Sequence, residues 1–568
     1  MRYNEKDLRQ KATLYLEVET EEAFRTEVET ELENGQWAEL YERFYTTLSF
    51  GTAGIRGLLG GGTNRMNTFM VRKVTQGLAD YLKTQSDHPS VVIGYDSRHY
   101  SDVFAKEAAL VLAANGISVY LFPELRPVPM ISYAVRNLKT TAGIAITASH
   151  NPSAYNGFKA YWRDGAQVTP PHDFQIADRA NAVLPKQIRT ITEEKARSNG
   201  LLVRVPDKVE ESYYNEVLSS IRNMDIIKTS KTLVAYTPLH GSGLKPVTRL
   251  FDEVGIDYVT VKEQEEPDGS FPTVKLPNPE DHDAMALVLR LAKKKGADIV
   301  LGTDPDADRL GIAIPLSDEK KEYQLLTGNQ IAVLLADYLM MTTGHRTKQP
   351  VVVKSIVTTD LVKAIVEKRG GVCKDVLTGF KYIANEMTLL EGPKGEEQYF
   401  LFGCEESYGY LTINIVRDKD AVSTALVAVE MLSYWKDRGK TLIDRLGEIY
   451  REFGYYTERV ISVDFEGAAG QEKMVKVMQS FRDLTAGEEL VGRKILQIED
   501  LMNPQEGGLP PSDVVIFHLE GGERVIVRPS GTEPKIKYYL FFSTEAVNRE
   551  AFDAHLESRV KEMREGLL

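Results

Sequence analysis

The sequence predicts an α/β protein, with three related α/β domains followed by a smaller α+β C-terminal domain. Three observations carry that expectation. The chain has 568 residues, too many for one hydrophobic core when domains run to roughly 100–200 residues each. Its middle repeats one plan three times: an apolar run, a polar turn, a helix-period stretch, a glycine and a second apolar run. Its C-terminal part departs from that plan and alternates like a hairpin-rich sheet.

Residues up to about Phe44, including "EEAFRTEVETELENGQWAELYERF", are charged and helix-prone. The first repeat runs from Val91 to Phe122, "VVIGYDSRHYSDVFAKEAALVLAANGISVYLF". The second, Thr232 to Val261, and the third, Val351 to Leu377, follow the same order and break at Gly255 and Gly371 where the first breaks at Gly116. A β-branched run, helical periodicity, a glycine cap and another β-branched run make an α/β unit on a sheet. After about Tyr455, "VVIFHLEGGERVIVRPSG" reads as a hairpin around Gly521 and Gly522. The expected domains are residues 1–210 with the N-terminal helical segment, 211–320, 321–455 and 456–568.

A net charge of −13 argues against a nucleic-acid partner, which demands clustered lysine and arginine. A small anionic substrate stays compatible with it, because a basic pocket can sit inside an acidic protein. No apolar run approaches the roughly 20 residues of a membrane helix, and the opening "MRYNEKDLRQ" has no signal-peptide stretch. With Cys373 and Cys404 its only cysteines, the chain is expected to be reduced and cytoplasmic.

Four polar loops interrupt the apolar runs. "TASHNP", Thr147 to Pro152, follows "AGIAI" and places Ser149 where a strand stops, either closing a turn or holding a hydroxyl out for chemistry. In "GTDPDADR", Asp304, Asp306 and Asp308 alternate, so an extended backbone would point three carboxylates one way. Like charges this close repel unless a cation compensates them, and hard cations such as Mg²⁺ prefer carboxylate oxygens. An EF-hand is excluded by Arg309 at position six and Pro315 at position twelve. "GCEESYGYL" offers Glu405, Glu406 and Ser407 as acceptors for sugar hydroxyls. "VRPSGTEPK" sets Ser530, Gly531 and Thr532 between Arg528 and Lys535, a composition suited to cradling phosphate.

In this order, "TASHNPSAYNGFKAY", "GTDPDADR", "GCEESYGY" and "RPSGTEPK" resemble the four signature loops of the α-D-phosphohexomutase family, and the early "FGTAGIRG" resembles its N-terminal active-site segment. The resemblance covers nearly the whole chain. "TGFKYI", "CEESYGYL" and "VRDKDA" look most like its bacterial-type α-phosphoglucomutase branch and are also similar to phosphopentomutases. The resemblance implies an active site in the cleft between the four domains, whose loops supply, in order, phosphoserine, metal, sugar and phosphate contacts.

It implies a mutase that interconverts α-D-glucose 1-phosphate and D-glucose 6-phosphate through a phosphoserine and a glucose 1,6-bisphosphate intermediate. Phosphopentomutase and phosphomannomutase are the alternatives. Ser149 would carry the phosphoryl group, and Asp304, Asp306 and Asp308 would hold Mg²⁺ against it. Arg528, Ser530, Gly531, Thr532 and Lys535 match the phosphate cradle, while Glu405 and Ser407 match the sugar contacts. Thr378, Gly379 and Lys381 of "TGFKYI" match a second sugar-facing loop. His150, Lys159 and Lys419 are the candidates for proton transfer, and Arg56 and Arg309 for neutralising phosphoryl charge. Gly409 stands where phosphomannomutase members often carry histidine, which favours glucose phosphates. The expected partners are small sugar phosphates, without nucleic acid or membrane, and the expected state is a monomer or weak homo-oligomer.

Other classes fit less well. A haloacid-dehalogenase-like phosphatase wants Thr or Val where Asp308 stands, and a serine hydrolase wants glycines that "TASHN" lacks. A sugar-phosphate-binding module without catalysis would be favoured if the nucleophile or carboxylates were missing, and none is.

Overall fold

Three helices, Glu5–Leu16, Glu22–Glu33 and Trp37–Phe44, open the chain as its charge pattern predicts. They close over a small apolar cluster that includes Leu8, Tyr15, Val28, Leu40 and Phe44. The computed structural model describes residues 4–51, 54–317, 319–344, 347–465, 467–504, 506, 508–529, 535–544 and 557–565. The chain forms two compact units, the first of residues 1–328, 384–395 and 407–438, the second of residues 329–383, 396–406 and 439–568.

Two sheets carry the first unit. One is six-stranded, in the order Gly54–Leu58, Tyr155–Trp162, Ala142–Ile146, Ser90–Tyr95, Ser118–Leu121 and Leu202–Arg204. The other orders Tyr323–Leu325, Leu310–Pro315, Ile299–Thr303, Leu233–Thr237 and Asp257–Thr260. Both have a parallel centre flanked by antiparallel strands on one side. Parallel strands covered by helices must be apolar throughout, and Ala142–Ile146 and Ile299–Thr303 are buried at every residue. Val91, Ile93, Phe104, Leu112, Ile144 and Phe158 pack in the core of the first sheet, each contributing about 1.5–3 kcal/mol by leaving water. The carboxyl ends of Ala142–Ile146 and Ile299–Thr303 open onto the serine and aspartate loops, where α/β sheets bind their ligands.

The second unit holds a parallel set ordered Val372–Val376, Gln349–Ser355 and Gln398–Glu405. It also holds an antiparallel six-stranded sheet ordered Tyr455–Asp464, Lys535–Thr544, Arg524–Pro529, Val515–Leu519, Arg493–Asp500 and Glu489–Leu490. The predicted hairpin is present: Val515–Leu519 pairs with Arg524–Pro529, and Gly521 and Gly522 take φ of 84° and 77°.

All three repeats fold as strand, helix, glycine, strand, with parallel strand pairs. Gly116 and Gly255 adopt φ of 77° and 83°, as expected of helix-ending glycines. The third repeat corrects the expectation by one residue. There the left-handed glycine is Gly370, at φ 78°. Gly371 is needed for space instead, since a Cβ on it would lie 2.8 Å from Val366 Cγ1 and 3.1 Å from the Pro350 carbonyl.

Asp337 makes a stability prediction for the second unit. It is fully buried, accepts two 2.8 Å bonds from Arg445 and also pairs with Arg369. Removing one partner of such a group strands the rest in low dielectric, at a cost of about 3–5 kcal/mol. Asp337→Ala should therefore lower the urea midpoint of this unit clearly; an unchanged midpoint would show that the two guanidiniums find water instead.

Candidate active site

The strand Ala142–Ile146 runs antiparallel to Tyr155–Trp162, and the serine loop is the connection between them. Thr147 Oγ1 accepts the Ser149 N–H at 2.8 Å and donates to Asp306 Oδ2 at 3.1 Å, so one hydroxyl ties both loops. Ser149 sits in the left-handed region at φ 52°, a conformation costing a non-glycine residue roughly 1–2 kcal/mol. The turn delivers its hydroxyl to buried partners. Ser149 Oγ donates to Asp304 Oδ2 at 2.7 Å and lies 3.1 Å from His150 Nδ1. Burial, then Arg309 and Arg56, hold the His150 pKa well below the usual imidazole value, which keeps the ring neutral.

Strand Gly54–Leu58 covers the loop from the far side and pairs Arg56 with Gly157. The approach is close: a Cβ on Gly157 would lie 2.6 Å from the Thr147 carbonyl, and one on Gly54 1.9 Å from the Phe158 carbonyl. Arg56 Nη1 donates to Asn151 Oδ1 at 2.6 Å, which brings its charge to the serine loop.

The aspartate loop differs from the expected extended chain. Residues 304–308 form a turn with Ala307 at φ 48°. The carboxylates converge because the backbone wraps Asp304, whose Oδ1 accepts the N–H groups of Asp308 and Arg309 at 3.1 and 3.0 Å. Behind the loop, Ser242 donates both N–H and Oγ–H to the Pro305 carbonyl at 2.8 Å, and Val128 N–H donates to Asp306 O at 2.9 Å. Asp304, Asp306 and Asp308 are all but fully buried, and one ligand atom from each lies within 4.8 Å of the others. Asp306 Oδ1 and Asp308 Oδ1 are buried oxygens without a hydrogen-bond partner. Orphaned buried oxygens in a cluster of three close carboxylates suit a hard cation, so the cluster can bind a metal ion.

Two lysines answer the same carboxylates. Lys159 Nζ reaches Asp306 Oδ2 at 2.8 Å and Asp308 Oδ2 at 3.4 Å, and Lys419 Nζ reaches Asp308 Oδ2 at 3.1 Å and Asp418 Oδ1 at 2.9 Å. Burial works against the Asp308 charge, but Lys419, Lys159 and Arg309 more than offset it and hold its pKa well below the ordinary range. Asp304 goes the other way: burial, Asp306 and Asp308 push its pKa well up. Lys159 loses to burial and gains more from Asp306 and Asp308, so it is held as an ammonium rather than as a ready base. Arg309 continues from the loop, bridging Gly409 through its backbone and lying 3.8 Å from Glu280.

Ser407 also belongs to the first unit, on a half-buried turn tied to the aspartate hairpin by the 3.0 Å bond from Leu310 N–H to Tyr408 O. The remaining predicted residues lie in the second unit. Glu405 ends the strand Gln398–Glu405, nearly buried, and its Oε1 accepts the Gly379 N–H at 2.8 Å. Thr378 and Gly379 precede the helix Phe380–Leu390, and Lys381 in its first turn lies 5.4 Å from the Tyr382 ring centroid. Next to Glu405, burial and that neighbour push Glu406 up to about 7, and Ser355 Oγ donates to it at 3.1 Å. Arg528 and Lys535 stand on adjacent strands, with Lys535 Nζ 3.5 Å from Asp464 Oδ1. Ser530, Gly531 and Thr532 lie outside the described residues.

Sequence patterning missed Thr147, Arg98 and the Asp418 network. Asp418 Oδ2 accepts Tyr161 O–H and Gln167 Nε2–H, both at 2.9 Å, while Oδ1 holds Lys419. The aspartate in "VRDKDA" was a visible signal for it; its partners, some 250 residues away, were not.

Comparison with known proteins agrees across the chain. Residues 47–186, 211–316 and 327–453 match alpha/beta/alpha domains I, II and III of phosphoglucomutase/phosphomannomutase, and residues 472–554 match its C-terminal domain. A Staphylococcus epidermidis phosphoglucomutase is 39% identical over 521 residues, covering 89% of this chain and 93% of that protein. A Staphylococcus saprophyticus phosphoglucomutase is 37% identical over 558 residues, covering 96% and 98%. Among solved structures, a putative phosphomannomutase from Thermus thermophilus superposes with a TM-score of 0.68 at 22% identity, over 92% of this chain and 100% of that one.

Proposed function

The chain belongs to the phosphoglucomutase/phosphomannomutase family, and from that premise we propose that it interconverts α-D-glucose 1-phosphate and D-glucose 6-phosphate. The observation that carries the proposal is Ser149 Oγ at 2.7 Å from Asp304, inside a cluster of three buried carboxylates with two orphaned oxygens. A hydroxyl set against a cation site suits phosphoryl transfer, in which positioning and charge neutralisation do most of the work. The phosphoglucomutases at 37–39% identity support glucose phosphate over pentose or mannose phosphate.

In this reading Ser149 carries the phosphoryl group and gives it to the free hydroxyl of a sugar monophosphate. The resulting glucose 1,6-bisphosphate returns its other phosphate to Ser149. Asp304, Asp306 and Asp308, with the phosphoserine oxygen, would hold Mg²⁺, which supplies compensation for phosphoryl charge. Arg56 and Arg309 add fixed positive charge on the same side. His150, neutral and 3.1 Å from Oγ, takes and returns the serine proton. Lys159 and Lys419, on Asp306 and Asp308, serve the sugar hydroxyl, and Lys159 acts first as a proton donor because its ammonium is the favoured form. Glu405, Ser407, Thr378, Gly379 and Lys381 bind the sugar. Arg528, Ser530, Gly531, Thr532 and Lys535 grip the phosphate that is not reacting. The free thiols Cys373 and Cys404 support a reducing, cytoplasmic setting.

Phosphorus NMR tests this directly, with purified protein, Mg²⁺ and trace glucose 1,6-bisphosphate. Glucose 1-phosphate should pass to the 6-phosphate quickly, with mannose 1-phosphate and ribose 1-phosphate slower. Inorganic phosphate appearing without isomer would mean a phosphatase, and ribose 1-phosphate reacting fastest would overturn the glucose assignment.

A further inference from the structure

Transfer in both directions needs Ser149 Oγ returned to one position each cycle, yet the groups touching that oxygen do not fix the backbone that carries it. Beneath the loop lies Arg98, 2% exposed. Its Nη1 donates to the carbonyls of Pro152 and Tyr155 at 2.8 and 3.0 Å. Its Nη2 donates to the carbonyl of Ser149 at 2.5 Å and to that of Asn151. Nε, the fifth donor, faces Asp96 Oδ2 at 3.4 Å. Asp96, also 2% exposed, is itself held by the Arg98 N–H at 3.0 Å and Ser101 Oγ at 2.8 Å. The Phe271 ring, on the neighbouring sheet's side, lies 5.0 Å from the guanidinium carbon.

We propose that Arg98 is a positioning residue for the phosphoryl-carrying serine: by gathering four main-chain carbonyls from residues 149–155, it holds the left-handed turn at Ser149 and sets where Oγ points. The inference rests on the reading of Ser149 as the phosphoryl carrier. Ordinary turns close through their own backbone bonds. Thr147 N–H to Gly157 O at 3.1 Å closes the base of this one, but within residues 148–155 it keeps only Asn151 N–H to Ala148 O at 3.2 Å and Tyr155 N–H to Pro152 O at 3.0 Å, and four of its carbonyl oxygens converge on a cation. A planar fork of donors fits that convergence, and a lysine, a point charge with three donors on one nitrogen, does not.

The test compares the full-length protein with R98A and R98K, in Mg²⁺ with trace glucose 1,6-bisphosphate, each checked for native fold by near-UV circular dichroism. R98A should lose on the order of 100-fold in kcat, the loss that misplacement by about an ångström brings, with KM for glucose 1-phosphate within about threefold. Guanidinium ion at tens of millimolar should restore part of that kcat, and equal sodium chloride none. R98K should stay well below the parent. Independently of turnover, amide hydrogen exchange across residues 149–155 should speed up by about tenfold or more in both variants, while Ile299–Thr303 is unchanged. A folded variant with parental kcat, or with parental exchange in the loop, overturns the proposal, as does a loss that guanidinium leaves untouched. If R98A does not fold, R98K decides by the same two readouts. If the parent itself lacks mutase activity, the functional reading fails, and the exchange comparison still judges Arg98.

Discussion

Ser149→Ala should abolish turnover, lowering kcat by about 10⁴–10⁶-fold, the scale on which removing a covalent nucleophile acts. The expectation follows from how little else could serve. Thr147 Oγ1 is committed to the Ser149 N–H and to Asp306, and no other described hydroxyl donates to Asp304. The variant should also take up no phosphoryl group from glucose 1,6-bisphosphate, as intact-protein mass spectrometry would show. Activity near the parent's would remove the phosphoserine from the reaction and leave direct transfer between sugars as the only route.

Asp306→Asn should cost less but still heavily, on the order of 10³-fold in kcat/KM, for a different reason. The carboxylate presents one oxygen to Thr147 and Lys159 and leaves the other without a partner. An amide keeps the shape but loses the charge that draws in a divalent cation, whose neutralisation of the phosphoryl group is worth several kcal/mol. A second readout separates binding from chemistry. Mg²⁺ at about 100 times its dissociation constant should stabilise the parent by about 2.7 kcal/mol and the variant far less at the same concentration. Equal stabilisation of both proteins would mean that the cation does not sit on Asp306. Chelation by EDTA should silence the parent and return with added Mg²⁺.

These loops were legible in the sequence because each is a polar interruption at the end of an apolar strand. A chain that must bury Ala142–Ile146 and Ile299–Thr303 has no folding reason to put a serine, a histidine and three aspartates immediately after them. The three repeats were legible for a related cause, since strand and helix periods differ and a glycine marks the switch. What patterning missed was pairing over distance. Arg98 stands in a polar turn after a strand, and its meaning lies in carbonyls more than fifty residues away. Asp418 was hidden in the same way, its partners Tyr161 and Gln167 coming from the first sheet's side of the chain. Alternation also misled where it assumed a straight chain: the three aspartates meet because Ala307 bends the backbone, and period-two spacing carries no sign of that turn.

The route of the chain through its two units has a consequence for biosynthesis. Lys419 and the helix Ala421–Asp437 belong with the serine and aspartate loops, yet residues 329–383 and 396–406, of the other unit, are made in between. A ribosome adding about 5–20 residues per second therefore finishes the aspartate hairpin several seconds before it supplies Lys419. During that interval Glu430, which accepts the N–H groups of Arg222 and Asn223 at 2.6 and 2.5 Å, is also missing. The nascent protein thus carries Ser149 and its acidic cluster with only one of their two lysines. On the proposed mechanism, completion of the catalytic set is timed by the order of translation, and a fragment released early, ending at residue 328, would hold Ser149 without Lys419.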